Sequence, residues 1–377
     1  MRIALCAQSS SRRGEPSDPV GDLAGELAGR GHDVTLFAPA DRPCPAGVAR
    51  QMIAPGAGFA RRCARAVAAA GRFDVVHAFE GAWHPAAGPA PHVLQILNGA
   101  EIRRTELRSA HAGATWLRRL ADLLQPARVR RLGEERAVAG SGVMLVAPSP
   151  HTAAELRQYY GVPDERLRVV YEGVPAALPA GRGEVRLDTR RRLGLADRET
   201  LVLAAVADPR TDGPERLAAV AAAARAELAR EPSPRPLRMV VFAPGLRRVP
   251  APAEIAPAGL GWAELLAAAD VFATVSAHDA AGRFLLSALA APTACVAARS
   301  VGAAELIDDA RNGFVVDRPD DVAAVADRVL RLTESVKRFT FRNNLRDLRA
   351  DLSVGRAADE LLGVYGEALA RPGRTPV

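Results

Sequence analysis

Residues 270–316 read DVFATVSAHDAAGRFLLSALAAPTACVAARSVGAAELIDDARNGFVV, short apolar runs separated by polar loops and short helical segments. Val271–Val275 has the length and composition of a buried strand. The polar loop SAHDAAG runs to Gly282, and RFLLSALAA follows as a helix stopped at Pro292, which has no backbone donor to continue it. ACVA is the next strand and AAELI a short helix, and Asn312-Gly313 makes a tight turn before FVV. Strands and helices in this order build an open parallel sheet, whose ligands gather beyond the carboxyl ends of the strands. The helix opening at Gly282 aims backbone N–H groups into that region, a natural seat for a phosphate.

Upstream and downstream the same alternation continues. RIALCA is a first strand, PVGDLAGELAGRG a helix with Gly31 as its stop, and DVTLFA a second strand. FARRCARAVAAA reads as a helix, FDVVHAF as a strand carrying His77, and VLQIL as another. VMLVA, the helix HTAAELRQYYG and LRVVYEGV close a first domain. Pro and Gly cluster in PAALPAGRGEVRLD, the expected linker, with a helical turn at TRRRLGL. LVLAAVA opens a second domain, whose loop ADPRTDG leads into the helix PERLAAVAAAARAELA. RMVVFAPG is its next strand, and a Pro-, Ala- and Gly-rich gap separates it from WAELLAAAD. Helices DDVAAVADRVLRLTE, ESVKRFTFRNNLRDL and RAADELLGVYGEALA complete the chain. The expected division is 1–176, 177–355, and a last segment, 356–377, returning to the first domain.

Composition narrows the function classes. The chain has 377 residues, enough for two domains, and 49% of them are apolar without a run of membrane-spanning length. The first residues, MRIALCAQSS, turn polar too soon for a signal peptide, so a cytoplasmic protein is expected. Four cysteines without C-x-x-C spacing fit reduced thiols. Net charge is +7, and Lys337 is the only lysine among 50 basic residues, which excludes a P-loop lysine. Arginine richness has two readings, biased coding or an anionic partner. The spacing of His77, His84 and His92 suits no zinc site, and no D-x-D follows a strand, so no metal and no cofactor are expected. GAGFAR at Gly56 follows a proline and lacks the third glycine of a dinucleotide fingerprint. Trp116, Leu120, Leu123 and Leu124 form one helical stripe flanked by Arg118, Arg119, Arg128, Arg130 and Arg131. That 116–131 segment is either a core-facing helix with a solvated charged face or a basic surface resting on anionic lipid. No nucleic-acid partner is indicated.

Ser276, Asp279, Ala281 and Gly282, followed by a helix, resemble the donor-site signature of the family-4 glycosyltransferases, retaining enzymes of the GT-B fold. The Ala-Ala-Gly spelling is most similar to lipopolysaccharide core glucosyltransferases. The likeness spans nearly the whole chain. It implies an α/β fold of two Rossmann-like domains facing across a cleft. It also implies transfer of a hexose from a nucleotide sugar to a saccharide or lipid-linked acceptor, with retention and without a metal. The chain departs from the pattern at several positions. Ser287 stands where the family has a second Glu, Phe79 replaces a histidine, and only Gly14, followed by Glu15, remains of a paired-glycine loop. Asp208 and Asp212 occupy the places of an Arg and a Lys that hold the donor diphosphate, with Gly213 retained.

In such a transfer the main lever is neutralising charge on the leaving diphosphate. The candidate groups are Asp279, His77 and Arg283 for catalysis, and Arg210, Gly213, Gly282, Ser287 and Gly14 for donor binding. Arg283 lies at i, i+4 from Ser287 and, with Arg210, would take over the diphosphate. Each has an alternative: Asp279 as a cap, His77 as a core histidine, Ser287 as a buried helix serine, Arg283 as a solvated first-turn charge. The alternative for the whole chain is a catalytically degenerate relative acting as a binding or scaffold partner.

Overall fold

The computed structural model describes the chain except residues 9–15, 17, 57, 80, 85–89, 96–137, 139, 141, 176–181, 233–235 and 372–377. Gly14, Glu15 and the basic 116–131 segment lie outside the described residues. The chain divides into two units: one runs to Gly173 and resumes at Val354, and the other spans Val174–Ser353. Each is built on a wholly parallel sheet.

In the first unit the strand order is β3-β2-β1-β4-β5-β6-β7. The strands are β1 (Arg2–Cys6), β2 (Asp33–Ala38), β3 (Ala49–Met52), β4 (Val75–Phe79), β5 (His92–Gln95), β6 (Met144–Ala147) and β7 (Leu167–Val169). Central strands are buried on both faces, as near-continuous apolar runs require. Leu5 lies beside Leu36 on one side and His77 on the other. Helices α1 (Pro19–Gly29), α2 (Phe59–Ala69) and α3 (Pro150–Tyr160) connect them. Ser149 caps α3 by accepting the Thr152 N–H, and Gly161 ends it in the left-handed region. The last helix of the chain, Val354–Ala370, packs its buried Leu361 and Tyr365 into the core over this sheet.

In the second unit the order is β10-β9-β8-β11-β12-β13. These are β8 (Thr200–Ala205), β9 (Leu237–Phe242), β10 (Glu254–Ile255), β11 (Val271–Thr274), β12 (Ala294–Ala298) and β13 (Gly313–Val316). One face is covered by α5 (Pro214–Leu228) and α8 (Val322–Arg331), and the other by α6 (Trp262–Ala268) and α7 (Arg283–Ala290). Ahead of them comes α4 (Arg182–Arg192), and α9 (Ser335–Asn344) follows α8.

Three elements differ from the sequence reading. The segment read as linker up to Asp188 is helical from Arg182. Its only buried residue is Thr189, so no apolar stripe announces it. What holds it is arginine at i, i+4, i+8. Arg182 donates to the Ala291 carbonyl, Arg186 to the Ala268 and Ala269 carbonyls, and Arg190 to Ala268 and Glu199. These guanidinium groups cap helix C-termini, where free carbonyls and the helix dipole favour cations. Strand β3 is mostly exposed, and β10, formed in the Pro- and Gly-rich gap, pairs Glu254 and Ile255 with Val240 and Val241. No helix among the described residues is long and apolar enough to cross a membrane.

Candidate functional site

The loops after β8, β11 and β12 meet beyond the carboxyl ends of those strands, and hydrogen bonds tie them into one corner. The Ala277 N–H donates to the Thr211 carbonyl (2.8 Å), joining the β8 and β11 loops. The Asp279 N–H donates to Ser300 O (3.2 Å) and the Gly302 N–H to Asp279 O (2.7 Å), joining the β11 and β12 loops. Ser300 Oγ adds a bond to the Ser276 carbonyl (2.6 Å), and Ser276 Oγ turns back onto the His278 carbonyl (3.0 Å). A backbone held at this many points is fixed before any ligand arrives.

Asp279 is half-buried, and its Oδ1 accepts the Gly282 N–H (2.8 Å). It thus closes the turn into α7, while Oδ2 makes no hydrogen bond among the described residues. Gly282 itself is demanded by packing. Its φ is 70°, and a Cβ there would lie 2.8 Å from Val301 Cγ1 and 3.0 Å from the Ala303 nitrogen. Arg283 is the first residue of α7 and half-buried.

The β8 loop is organised by carboxylates. Asp212 Oδ2 accepts the N–H groups of Ala207 (2.7 Å) and Asp208 (2.8 Å), stapling the loop from inside. Burial, reinforced by the nearby Asp279 charge, pushes the Asp212 carboxyl up to about 6 against the pull of those donors. Asp208 caps the turn Pro209–Asp212 and grips Arg210 in a two-pronged pair, Nε to Oδ1 at 2.8 Å and Nη2 to Oδ2 at 2.7 Å. The expected diphosphate cation is therefore matched, in this state, by its own neighbour. Gly213 has φ 61°, and a Cβ on it would sit 2.3 Å from Arg216 Cζ.

Arg216 is a residue the sequence reading missed. From the first turn of α5 it donates to the Thr211 carbonyl (2.5 Å) and the Val275 carbonyl (3.0 Å), clamping the β8 loop to the end of β11. The clue in the sequence was its place three residues after the glycine that opens a helix.

Two expectations are corrected. Ser287, expected at a ribose hydroxyl, is fully buried, and its Oγ accepts the Trp262 indole N–H at 2.9 Å. A buried indole needs an acceptor, and here Ser287 supplies it within an aromatic cluster of Phe242, Trp262, Phe272 and Phe284. His77, expected to be catalytic, is likewise fully buried in the other unit. Its Nδ1 lies 2.7 Å from Tyr365 Oη, and its ring stacks on Phe79 at 4.5 Å. Burial lowers its pKa to about 3, so the ring is neutral and sealed from any substrate. Asp279, Gly282, Arg283, Arg210 and Gly213 are the candidates brought together at one corner.

Comparisons with known proteins converge on one family. The description Glycosyltransferase Family 4 matches residues 20–178, and Glycosyl transferases group 1 matches residues 253–335. The D-inositol 3-phosphate glycosyltransferase of Stackebrandtia nassauensis is 29% identical over 334 residues, covering 81% of this chain and 71% of that protein. Among solved structures, WaaG, a glycosyltransferase involved in lipopolysaccharide biosynthesis, matches with TM-score 0.70 and 18% identity over 96% of this chain and 99% of its own. HepE of Anabaena, in complex with UDP and glucose, matches with TM-score 0.66 and 17% identity, over 97% of this chain and 100% of its own. At these identities the structural likeness establishes the fold.

Proposed function

This chain belongs to the family-4 glycosyltransferases of GT-B fold, and from that premise we propose that it transfers a hexose from a nucleotide sugar to a saccharide or lipid-linked acceptor, with retention and without a metal ion. The observation that carries the proposal is the corner where the β8, β11 and β12 loops lock together around Asp279 and Gly282, beyond the strand ends. HepE, a structural relative, binds UDP and glucose, and a ligand of that class fits the chemistry of this corner. Asp279 Oδ2 is the acceptor for a hydroxyl of the donor sugar. Arg283 and Arg210 neutralise the diphosphate as the glycosidic bond to it breaks, Arg210 leaving Asp208 to do so. The leaving diphosphate then departs with the electron pair of that bond and takes the proton of the acceptor hydroxyl, whose oxygen bonds to the anomeric carbon on the same face.

One observation favours a second reading, a relative that keeps the fold without catalysis. Asp208 and Asp212 put two carboxylates into the loop that would face the donor phosphates. Incubation with UDP-, GDP- and ADP-hexoses and a panel of saccharide acceptors separates the two. Release of nucleoside diphosphate, with a product of unchanged anomeric configuration by proton NMR, is expected. Absence of turnover with every donor, together with tight nucleotide binding or none, would support the second reading. An inverted product would refute the retaining one.

A further inference from the structure

We propose that the surface of the second unit formed by α9 and the segment after it docks on an anionic lipid surface, with apolar side chains entering the headgroup layer and arginines binding lipid phosphates. Helix α9 has two faces. One is anchored in the core by Phe341, whose ring meets Phe314 at 5.2 Å, and Leu345 follows it into the core. The other presents Val336 and Phe339, at i, i+3, with 76% and 64% of their surface exposed. An aromatic and a β-branched residue this exposed on one helix stripe gain nothing from water.

Arg342 follows Phe339 by three residues, and Arg346 and Arg349 continue the series, all three exposed. None of the three guanidinium groups makes a hydrogen bond or ion pair among the described residues. Asp347 and Asp351 lie on the same segment without pairing to them. Other arginines of this unit do have partners: Arg186 and Arg190 share Asp270, and Arg331 holds Asp327. Arg182, at the start of α4, borders the same cluster. After burial, the charges of Arg342, Arg186 and Arg349 press its pKa down to about 10, and no carboxylate offsets them. Arg342 is likewise held low by burial, then by Arg186, with Asp270 opposing and Arg346 adding. The cluster therefore carries a net positive charge, which Asp270 offsets only in part.

A soluble anion would use the guanidinium groups and leave Val336 and Phe339 idle. A membrane surface uses both, because apolar side chains insert at the acyl boundary while cations hold anionic headgroups. Commitment to lipid follows from that pairing.

The test is co-sedimentation of the full-length protein with vesicles of phosphatidylcholine alone and with about one quarter phosphatidylglycerol. Binding is expected only to the anionic vesicles. Each arginine near such a surface contributes roughly fivefold, so R342E/R346E/R349E is expected to weaken binding by about a hundredfold or more. V336S/F339S is expected to weaken it about tenfold, with an unchanged melting temperature because both side chains are exposed. Wild-type protein that ignores anionic vesicles overturns the proposal. So does undiminished binding by the triple variant, which would assign the contact elsewhere in the chain. Loss of vesicle binding on adding inorganic phosphate at constant ionic strength would identify a free-anion site and also overturn it.

Discussion

Asp212→Asn tests how the β8 loop is held. In the native protein the Asp212 carboxyl titrates near 6 rather than 3.8, because it is buried and shares its surroundings with Asp279. A raised carboxylate pKa means that the folded state binds a proton the unfolded chain has already released. Stability therefore falls as pH rises from about 4 to about 6, and above that the full penalty applies. At ~1.4 kcal/mol per pKa unit, the shift corresponds to on the order of 2–3 kcal/mol. Asparagine is nearly isosteric, and its carbonyl oxygen can still accept the Ala207 and Asp208 N–H groups that Asp212 Oδ2 accepts now. The variant should match wild type near pH 4 and become more stable by on the order of 2 kcal/mol above pH 7. Urea unfolding of both proteins between pH 4 and 8 reads the difference directly, since other titrating groups cancel in the subtraction. A variant with the same pH dependence as wild type, or one less stable at pH 8, would refute the reasoning. Removing a negative charge from the loop should also tighten nucleoside diphosphate binding at neutral pH.

Other substitutions probe the remaining assignments. Ser287→Ala leaves the Trp262 indole N–H without an acceptor and should cost about 1–3 kcal/mol in urea unfolding, with KM for the donor unchanged; a large rise in KM would return Ser287 to the ribose. Tyr365→Phe strips the buried His77 of its partner and should destabilise the first unit by about 1–3 kcal/mol while leaving the pH–rate profile as it was. Asp270→Asn removes the counterion of Arg186 and Arg190 and should cost on the order of 3 kcal/mol at pH 7. Burial alone would raise the Asp270 pKa, but Arg186, the Leu201 N–H and Arg190 outweigh it and hold it low. Its contribution is therefore present above the ordinary carboxylate range and lost only as pH falls through the lowered folded value. A wild-type-minus-variant difference that vanished already at pH 6 would contradict this.

How much of this was legible before the structure depended on the range of the contacts involved. The stretch from Asp270 to Val316 could be read because its strands are short apolar runs and its breaks fall at Gly282, Pro292 and Asn312-Gly313, all local signals. Helix α4 could not, because arginine-to-carbonyl contacts replace the apolar stripe that marks most helices. Strands β3 and β10 escaped because both are short and largely solvent-facing. At the candidate site, Asp279 and Gly282 were visible from their loop. The fates of Ser287 and His77 were not. Ser287 answers to Trp262, 25 residues away, and His77 to Tyr365, 288 residues away. Nothing in the neighbourhood of either residue encodes those distances. The β8 loop was read as a pair of replaced cations, but its carboxylates also bind backbone N–H groups. That role follows from loop geometry and cannot be read from residue type.

Amide hydrogen exchange with and without UDP, GDP and ADP locates the donor most directly. The account predicts that one of these nucleotides slows exchange in residues 207–213, 276–284 and 299–303 together, since these loops form a single hydrogen-bonded corner. Protection confined to other segments, or no protection with any of the three, would contradict the placement of donor chemistry at Asp279 and Gly282.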